Sequence, residues 1–487
     1  MLSTQVRTYE NYINGQWVNT GTGETFASLN PADKEQAVGY FQASTEAEAT
    51  QAIEAAAKAF PNWAALSPAK RASLLNKAAD ILESRLDQIA EELTREEGKP
   101  YKASLGEVKR SADTLRFYAV EGQTFTGETF PSDDPKMRVY TEREPLGVIS
   151  VITPWNFPLS IPARKIAPAL ITGNTVVFKP SSDTPLVAYR LVEALHEAGL
   201  PPGVLNFVTG SSTKIGKVLV NHPAIRAVTF TGSTHAGEDI HRTVSLTTRT
   251  QMELGGKNPL IVMEDADLDE AVKLTINGGF SLTGQACTGT SRVIVMKSVK
   301  EAFVEKLVQK TKELTIGNGF NKDAFLGPLA NEKQLKNVLN YIQIGVEEGA
   351  TLEYGGEHLT SSDFEKGYYV SPAVFSNVTS DMRIAQEEIF GPVVAVIEAD
   401  SYEESISIAN SVEYGLSASI VTQNIARAEG FIKDIQAGTV KVNRTTTGNL
   451  MNAPFGGLKK SSTSTFRESG RVGLEFFTQT KTVYVGY

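Results

Sequence analysis

Residues 147–208 read GVISVITPWNFPLSIPARKIAPALITGNTVVFKPSSDTPLVAYRLVEALHEAGLPPGVLNFV, and their alternation decides the fold class. GVISVI, NTVVFKP and VLNFV are short β-rich runs, whereas Ile161 to Thr172 and Pro185 to Gly199 carry helical spacing. Strand, helix and strand in repetition, with apolar strands bounded by Pro and Gly, predict a parallel sheet covered by helices. A second series starts at Asn258-Pro259-Leu260-Ile261-Val262-Met263. It continues through RVIVM (292–296), a helix from Val299 to Leu314 and a strand from Val393 to Ile397. Two α/β domains are the economical reading.

Upstream, the first third is helical after a short β-like entry. Thr45-Glu46-Ala47-Glu48 has capping-box spacing and opens an Ala-rich helix to about Phe60. Ser67-Pro68 starts another helix whose apolar positions Leu75, Ala78, Ala79, Leu82, Leu86, Ile89 and Leu93 recur every three or four residues until Gly98 and Pro100 stop it. Thr126 to Arg143 alternates like a hairpin, Phe476 to Val485 like an edge strand, and Lys460 to Thr465 reads as a short Ser/Thr-rich loop.

The 487 residues include 56 acidic and 47 basic side chains, a formal net charge of −9, with five His and one Cys. A lone Cys excludes intrachain disulfides and thiolate-rich zinc or iron–sulfur sites, and no metal site is expected. The acidic balance, without a Lys/Arg block, argues against a nucleic-acid partner. The polar start and the absence of an apolar run near the ~20 residues needed to cross a bilayer argue against secretion or membrane insertion. A cytoplasmic location is expected.

Cys287 lies in GGFSLTGQACTGTSR, between Gly284 and Gly289. A buried inert thiol is one reading. A Gly-flanked loop, which lets backbone N–H groups approach an oxyanion, supports a nucleophile instead. None of His196, His222, His235, His241 and His358 sits in a Cys/His motif or at metal-ligand spacing. The nucleotide signals are indirect. A GxGxxG fingerprint is absent, and Gly210 to Val218 has one residue too many for a phosphate loop and Val where Ser or Thr would bind Mg²⁺. VTFTGSTHAG offers a better cradle, because a strand ending near Phe230 passes through Gly232 and Ser233 into a helix N-terminus with free N–H donors.

Seven motifs occur together: TPWNFP from Thr153, FKPSSDTP from Phe178, FTGST from Phe230, MELGGKNP from Met252, GQACTG from Gly284, EEIFGP from Glu387 and APFGG from Ala453. Their order and separations resemble those of the aldehyde dehydrogenase superfamily over essentially the whole chain. SLTGQACTGTSR and TFRESG look most like the bacterial 2-oxoglutarate semialdehyde (2,5-dioxopentanoate) dehydrogenases of sugar-acid catabolism. The resemblance implies that Cys287 is the nucleophile and that Asn156 stabilises the oxyanion with the Cys287 backbone N–H. It likewise implies that Glu253 activates water and that Glu468 supports it as a second acid in a proton relay. A Glu253 carboxylate capping the Gly255-Gly256 turn is the alternative reading. For the cofactor, NADP or NAD, it implies Lys179 and Glu388 at the riboses, Phe390 at the nicotinamide and Ser233 at the pyrophosphate. Thr153, Pro154, Trp155, Ser181, Ser182, Gly216, Gly232, Leu254 and Gly255 complete the expected cofactor site. Ser182 stands where NAD-preferring members usually place Glu; removing a carboxylate beside Lys179 favours NADP use equal to or better than NAD. Capping of the helix after Thr184 is the alternative for this Ser/Thr cluster.

For substrate, the resemblance implies that Arg164 forks onto a carboxylate of a small carboxylated aldehyde, with a plain ion pair as the alternative. Trp155, Phe157 and Phe455 would form an aromatic wall. Ser281 stands where some succinate-semialdehyde enzymes carry a second Arg, which leaves room for a longer oxo-acid. Succinate or glutarate semialdehyde, or a broad aldehyde range, remain alternatives, whereas Glu253 disfavours a CoA-acylating enzyme. GGLKKSSTSTFRESG is longer and more polar than the common GGxKxSGxGRE, so Glu468 is not placed by spacing alone. The implied fold has a dinucleotide-binding domain (1–122 and 146–254), a catalytic domain (255–456) and a small β oligomerisation element (123–145 and 457–487). Exposed strand edges there fit a homodimer or homotetramer.

Overall fold

The computed structural model describes residues 6–463 and 465–487; Ser464, in the loop expected at Lys460 to Thr465, lies outside them. The strands of the opening stretch pair in parallel, Val148–Ile152 beside Thr175–Lys179 and that beside Leu205–Phe207. Then the chain returns across the sheet. Ile225–Thr231 pairs with the other edge of Val148–Ile152, and Arg249–Glu253 lies beyond it. Asn11–Ile13 and Gln16–Val18 extend the far edge antiparallel, making seven strands. Strand order therefore reverses between Val148–Ile152 and Ile225–Thr231, and a crevice opens at their carboxyl ends.

Alternation along these strands feeds two cores. Ile149, Val151, Val176 and Phe178 pack with helices from the first third and with Ile166, Leu170, Leu191 and Leu195. Val148, Ile152 and Val177 face Ala49, Ile53, Ile215 and Leu219. With both faces covered, the strands are buried throughout, which is why they read as unbroken apolar runs.

The second series builds another seven-stranded sheet, in the order Thr351–Tyr354, Ala373–Val378, Val393–Ala399, Thr290–Met296, Asn258–Val262, Ser417–Val421 and Thr439–Val442. Only its first strand is antiparallel. A third sheet pairs Thr478–Gly486 with Met137–Pro145, and that with Thr129–Phe130; it contains the expected hairpin and edge strand. Two strands of the entry, Asp33–Gln42 and Thr25–Asn30, form a further ribbon with Thr8–Tyr9.

Thr45 and Glu48 form the expected capping box at the start of Glu46–Ala64. The helix expected from Ser67 to Gly98 is instead two, Pro68–Ser84 and Leu86–Glu97, broken at Arg85 with φ −113° and ψ 21°. Apolar spacing continues through the break because both segments pack their Leu and Ala side chains into one core. Among the described residues no helix is long and apolar enough to cross a membrane.

Candidate active site

Cys287 sits in a tight loop between the helix Leu268–Gly279 and the strand Thr290–Met296. Gly284, at φ +69°, lies so close to Gly391 that a Cβ would meet its carbonyl oxygen at 2.1 Å, so only glycine fits. Asn258 clamps the loop by donating from Nδ2 to the Cys287 carbonyl at 2.8 Å and the Gly289 carbonyl at 2.9 Å, while its Oδ1 accepts from Ser417 N–H at 3.0 Å. The residue keeps partial exposure, yet burial of the thiol pushes it up to about 12, opposed by Arg164. A thiol in that state is protonated near neutrality and needs a base to become a nucleophile.

Glu253 ends the strand Arg249–Glu253 and is buried, with both carboxylate oxygens free of hydrogen bonds among the described residues. Burial first, and the like charge of Glu468 second, raise it well above the usual carboxylate range. Gly255 and Gly256 are not capped by it; Gly256 N–H donates to Glu388 at 3.0 Å. Glu468 is buried as well. Burial pushes its carboxyl up, but Lys165, which donates to Oε1, and Arg164, whose Nε lies 3.1 Å from Oε2, outweigh that and hold it ionised. An antiparallel bridge decides its placement after the long polar loop: Phe455 and Glu468 exchange backbone hydrogen bonds of 2.6 and 2.7 Å.

Asn156 is buried; its Nδ2 donates to the Gln285 carbonyl at 3.0 Å and its Oδ1 has no partner among the described residues. Its own carbonyl accepts from Lys99 Nζ at 2.6 Å. Lys99 in turn pairs with Glu107 at 2.7 Å and Glu97 at 3.7 Å, and Glu107 accepts from Leu159 and Ser160 N–H at 3.0 and 3.1 Å. This buried triad fixes the loop that carries Asn156. Glu107 and Lys165 stand where charged residues read as ordinary helix surface, Lys99 just past a helix end and Asn258 at the start of a strand, so no local pattern marks any of the four. Only their close packing to motif loops singles them out.

A cavity of about 660 Å³ brings together Pro154, Trp155, Asn156, Gly232, Ser233, Leu254, Gly255, Cys287, Glu388 and Phe390. Ser233 caps the helix Thr234–Thr243, accepting from Ala236 N–H at 3.4 Å. A Cβ on Gly255 would meet Glu388 at 2.2 Å, so glycine admits the carboxylate, which burial raises to about 7. Phe390 takes a left-handed φ of 58°. Its strained turn is held by amides the sequence did not reveal: Gln334 donates to the Ile389 and Phe390 carbonyls at 3.0 and 2.8 Å, and Asn337 to Ile389 at 3.0 Å. Trp155 meets the Phe390 ring edge-on at 5.4 Å.

The other predicted residues do not line this cavity. Thr153 is buried at the sheet end, its N–H donating to the Lys179 carbonyl at 3.2 Å. Lys179 is buried and pushed down to about 8 by that burial. Ser182 donates to the Gly210 carbonyl at 3.2 Å and Ser181 to Asp183 at 3.2 Å. Thr184 does not cap the helix that follows it; Glu96 does, accepting from its Leu186 and Val187 N–H groups at 2.6 and 3.0 Å. Gly216 lies on the helix Ser212–Asn221. Phe157 carries Lys99 Nζ 4.5 Å from its ring centroid, and Phe455 carries the Arg164 guanidinium at 5.1 Å. Ser281 lines a separate, open cavity with Tyr101 and Phe320.

A thiol, an unbonded carboxylate, an amide donor and a dinucleotide-sized crevice at a sheet switch point suit oxidation of a carbonyl through a covalent thiol adduct. Comparison with known proteins agrees. The Aldehyde dehydrogenase family profile matches residues 17–483. The chain is 48% identical over 483 residues, 99% of both chains, to alpha-ketoglutaric semialdehyde dehydrogenase of Bacillus subtilis. It is 44% identical over 475 residues, 97% of this chain and 98% of the other, to 2,5-dioxopentanoate dehydrogenase of Saccharolobus solfataricus. Betaine aldehyde dehydrogenase of Staphylococcus aureus, solved with NAD+, superposes with a TM-score of 0.95 at 33% identity, covering 98% of this chain and 95% of that one. The chain belongs to the aldehyde dehydrogenase family, and it is an oxidoreductase.

Proposed function

We propose that the enzyme oxidises 2-oxoglutarate semialdehyde (2,5-dioxopentanoate) to 2-oxoglutarate with NADP or NAD, in cytoplasmic sugar-acid catabolism of the glucarate or galactarate type. Full-length identity of 48% to a relative named for that substrate carries the choice of aldehyde. The chemistry rests on Glu253, a buried carboxylate with no partner to satisfy it and a raised proton affinity. It takes the proton of the Cys287 thiol, which attacks the aldehyde carbon to form a thiohemiacetal. Asn156 turns its Nδ2 from Gln285 to the oxyanion, a neutral donor that stabilises the charge without a proton to lose. NAD(P), held by Lys179, Ser233 and Glu388, would supply the hydride acceptor for this adduct. Glu253 passes the thiol proton outward through Glu468 and Lys165 and, ionised again, deprotonates the hydrolytic water.

The crevice suits such a cofactor on its own geometry. The N-terminus behind Ser233 suits a pyrophosphate, the missing Cβ at Gly255 leaves Glu388 beside a ribose, and the Thr231 hydroxyl is buried there without a partner among the described residues. Ser182 beside Lys179 carries the expectation of NADP use. Residues 1–122 with 146–254 would form the cofactor domain, 255–456 the catalytic domain, and 123–145 with 457–487 the contact in a homodimer or homotetramer.

The test is kcat/KM for 2-oxoglutarate, succinate and glutarate semialdehydes with each cofactor. The expected result ranks 2-oxoglutarate semialdehyde first, with NADP at least equal to NAD and no NAD(P)H formed by Cys287→Ala. A higher rank for another aldehyde overturns the substrate assignment.

A further inference from the structure

Beside Arg164 lies a second arginine, Arg110, without an ion pair among the described residues. On the helix Tyr101–Thr124, Arg110, Thr114 and Tyr118 follow at intervals of four and share one side; on Ser160–Ile171, Ser160 and Arg164 do the same. The two sides meet around a cavity of about 20 Å³, closed by Met451 and Ser469. That volume admits one oxygen-sized group, such as one oxygen of a carboxylate held at its mouth.

Its lining is short of acceptors. Tyr118 is buried with its hydroxyl unpartnered among the described residues, and Arg164 Nε, though near Glu468, makes no aligned hydrogen bond. Arg110, exposed at the mouth, donates only to the Asn449 carbonyl and has no ion pair among the described residues. The nearby carboxylates are already engaged: Glu107 serves Lys99, and Glu468 serves Lys165 and Arg164. Although the residue as a whole is exposed, partial burial of its guanidinium and repulsion from Arg164 push Arg110 down, offset in part by Glu107. Two cations line one donor-rich cavity, and the carboxylates near them are already shared, Glu468 between Lys165 and Arg164 and Glu107 with Lys99; that excess of donors suits an external carboxylate. Its connection to the chemistry runs through Arg164, which stacks on Phe455 and is the leading charge favouring the Cys287 thiolate.

We propose that Arg110 is a specificity-determining residue, which with Arg164 binds the carboxylate of the substrate at the end remote from its aldehyde. This rests on the reading that the substrate is a carboxylated aldehyde. Arg110 donates from the mouth, Arg164 from the inner wall, and Ser160 and Tyr118 supply hydroxyl donors between them.

The test compares wild type, Arg110→Gln and Arg110→Lys with 2-oxoglutarate semialdehyde and with pentanal, an uncharged aldehyde of equal chain length. It also measures competitive inhibition of pentanal oxidation by glutarate. A lost charged hydrogen bond lowers the ratio of the two kcat/KM values in Arg110→Gln by about ten- to hundredfold, mainly through KM. The glutarate inhibition constant rises in parallel, and Arg110→Lys recovers part of both. If Arg110 merely anchors the Asn449 loop, both substrates fall together; a ratio and an inhibition constant within about twofold of wild type overturn the proposal. A wild type with no preference for the carboxylated aldehyde overturns the underlying substrate reading, and this proposal with it.

Discussion

At the scale of single residues the site is governed by burial. Cys287 and Glu253 are both shifted toward their protonated forms by desolvation, so neither is reactive until a proton leaves. In the proposed mechanism, activity needs the Glu253 carboxylate. Its acid limb in a kcat–pH profile should therefore rise through a pH above the ordinary carboxylate range near 4.5. Glu253→Gln should abolish that limb and slow turnover by about 10²- to 10⁴-fold. Glu468→Gln deletes the like charge that raises Glu253 and should move the limb to lower pH. A limb unchanged in Glu253→Gln would assign it to another group. Cys287 and Glu253 were legible in sequence because each lies in a short motif of rare composition. Lys165 was not, since a lysine in a helix is usually solvated; here it is fully buried against Glu468.

Among the elements, the loop from Thr153 to Leu159 shows how the Asn156 amide is positioned from a distance. Lys99 stands just past the end of Leu86–Glu97, where Gly98 turns the chain at φ 92°. It reaches the Asn156 carbonyl while Glu97 and Glu107 balance its charge. Lys99→Met would leave both carboxylates buried without their cation, a change that typically costs about 3–5 kcal/mol. Urea unfolding of the variant should report that loss, and kcat should fall with it because the Asn156 loop loses its anchor; unchanged stability and kcat would refute this role. Glu96, beside Glu97, caps the helix Pro185–Glu197 across the fold. Sequence spacing predicted that this helix begins after Thr184. It could not predict that its cap comes from a carboxylate 90 residues away, because local patterns carry no record of such contacts.

Over the whole molecule, the C-terminal strand Thr478–Gly486 pairs among the described residues on one side, with Met137–Pro145, and Tyr484 on it and Tyr487 just past it are 66% and 77% exposed. Edges of this kind recruit another chain. Wild type should sediment at a multiple of the 52.7 kDa chain mass, and Tyr484→Glu with Tyr487→Glu should lower that multiple; a wild type at one chain mass would overturn the oligomer. The amino-acid sequence by itself determined the α/β class, the seven motifs in order and the lone thiol, because strand and helix periodicity and glycine-bounded loops are written in neighbouring residues. Tertiary structure alone decided the rest. It split the helix at Arg85, returned Glu468 to Lys165 through the Phe455 bridge, and set Arg110 opposite Arg164. Each of these depends on residues far apart in the chain sharing a space without water, where an unpaired charge or donor is costly enough to dictate its partner.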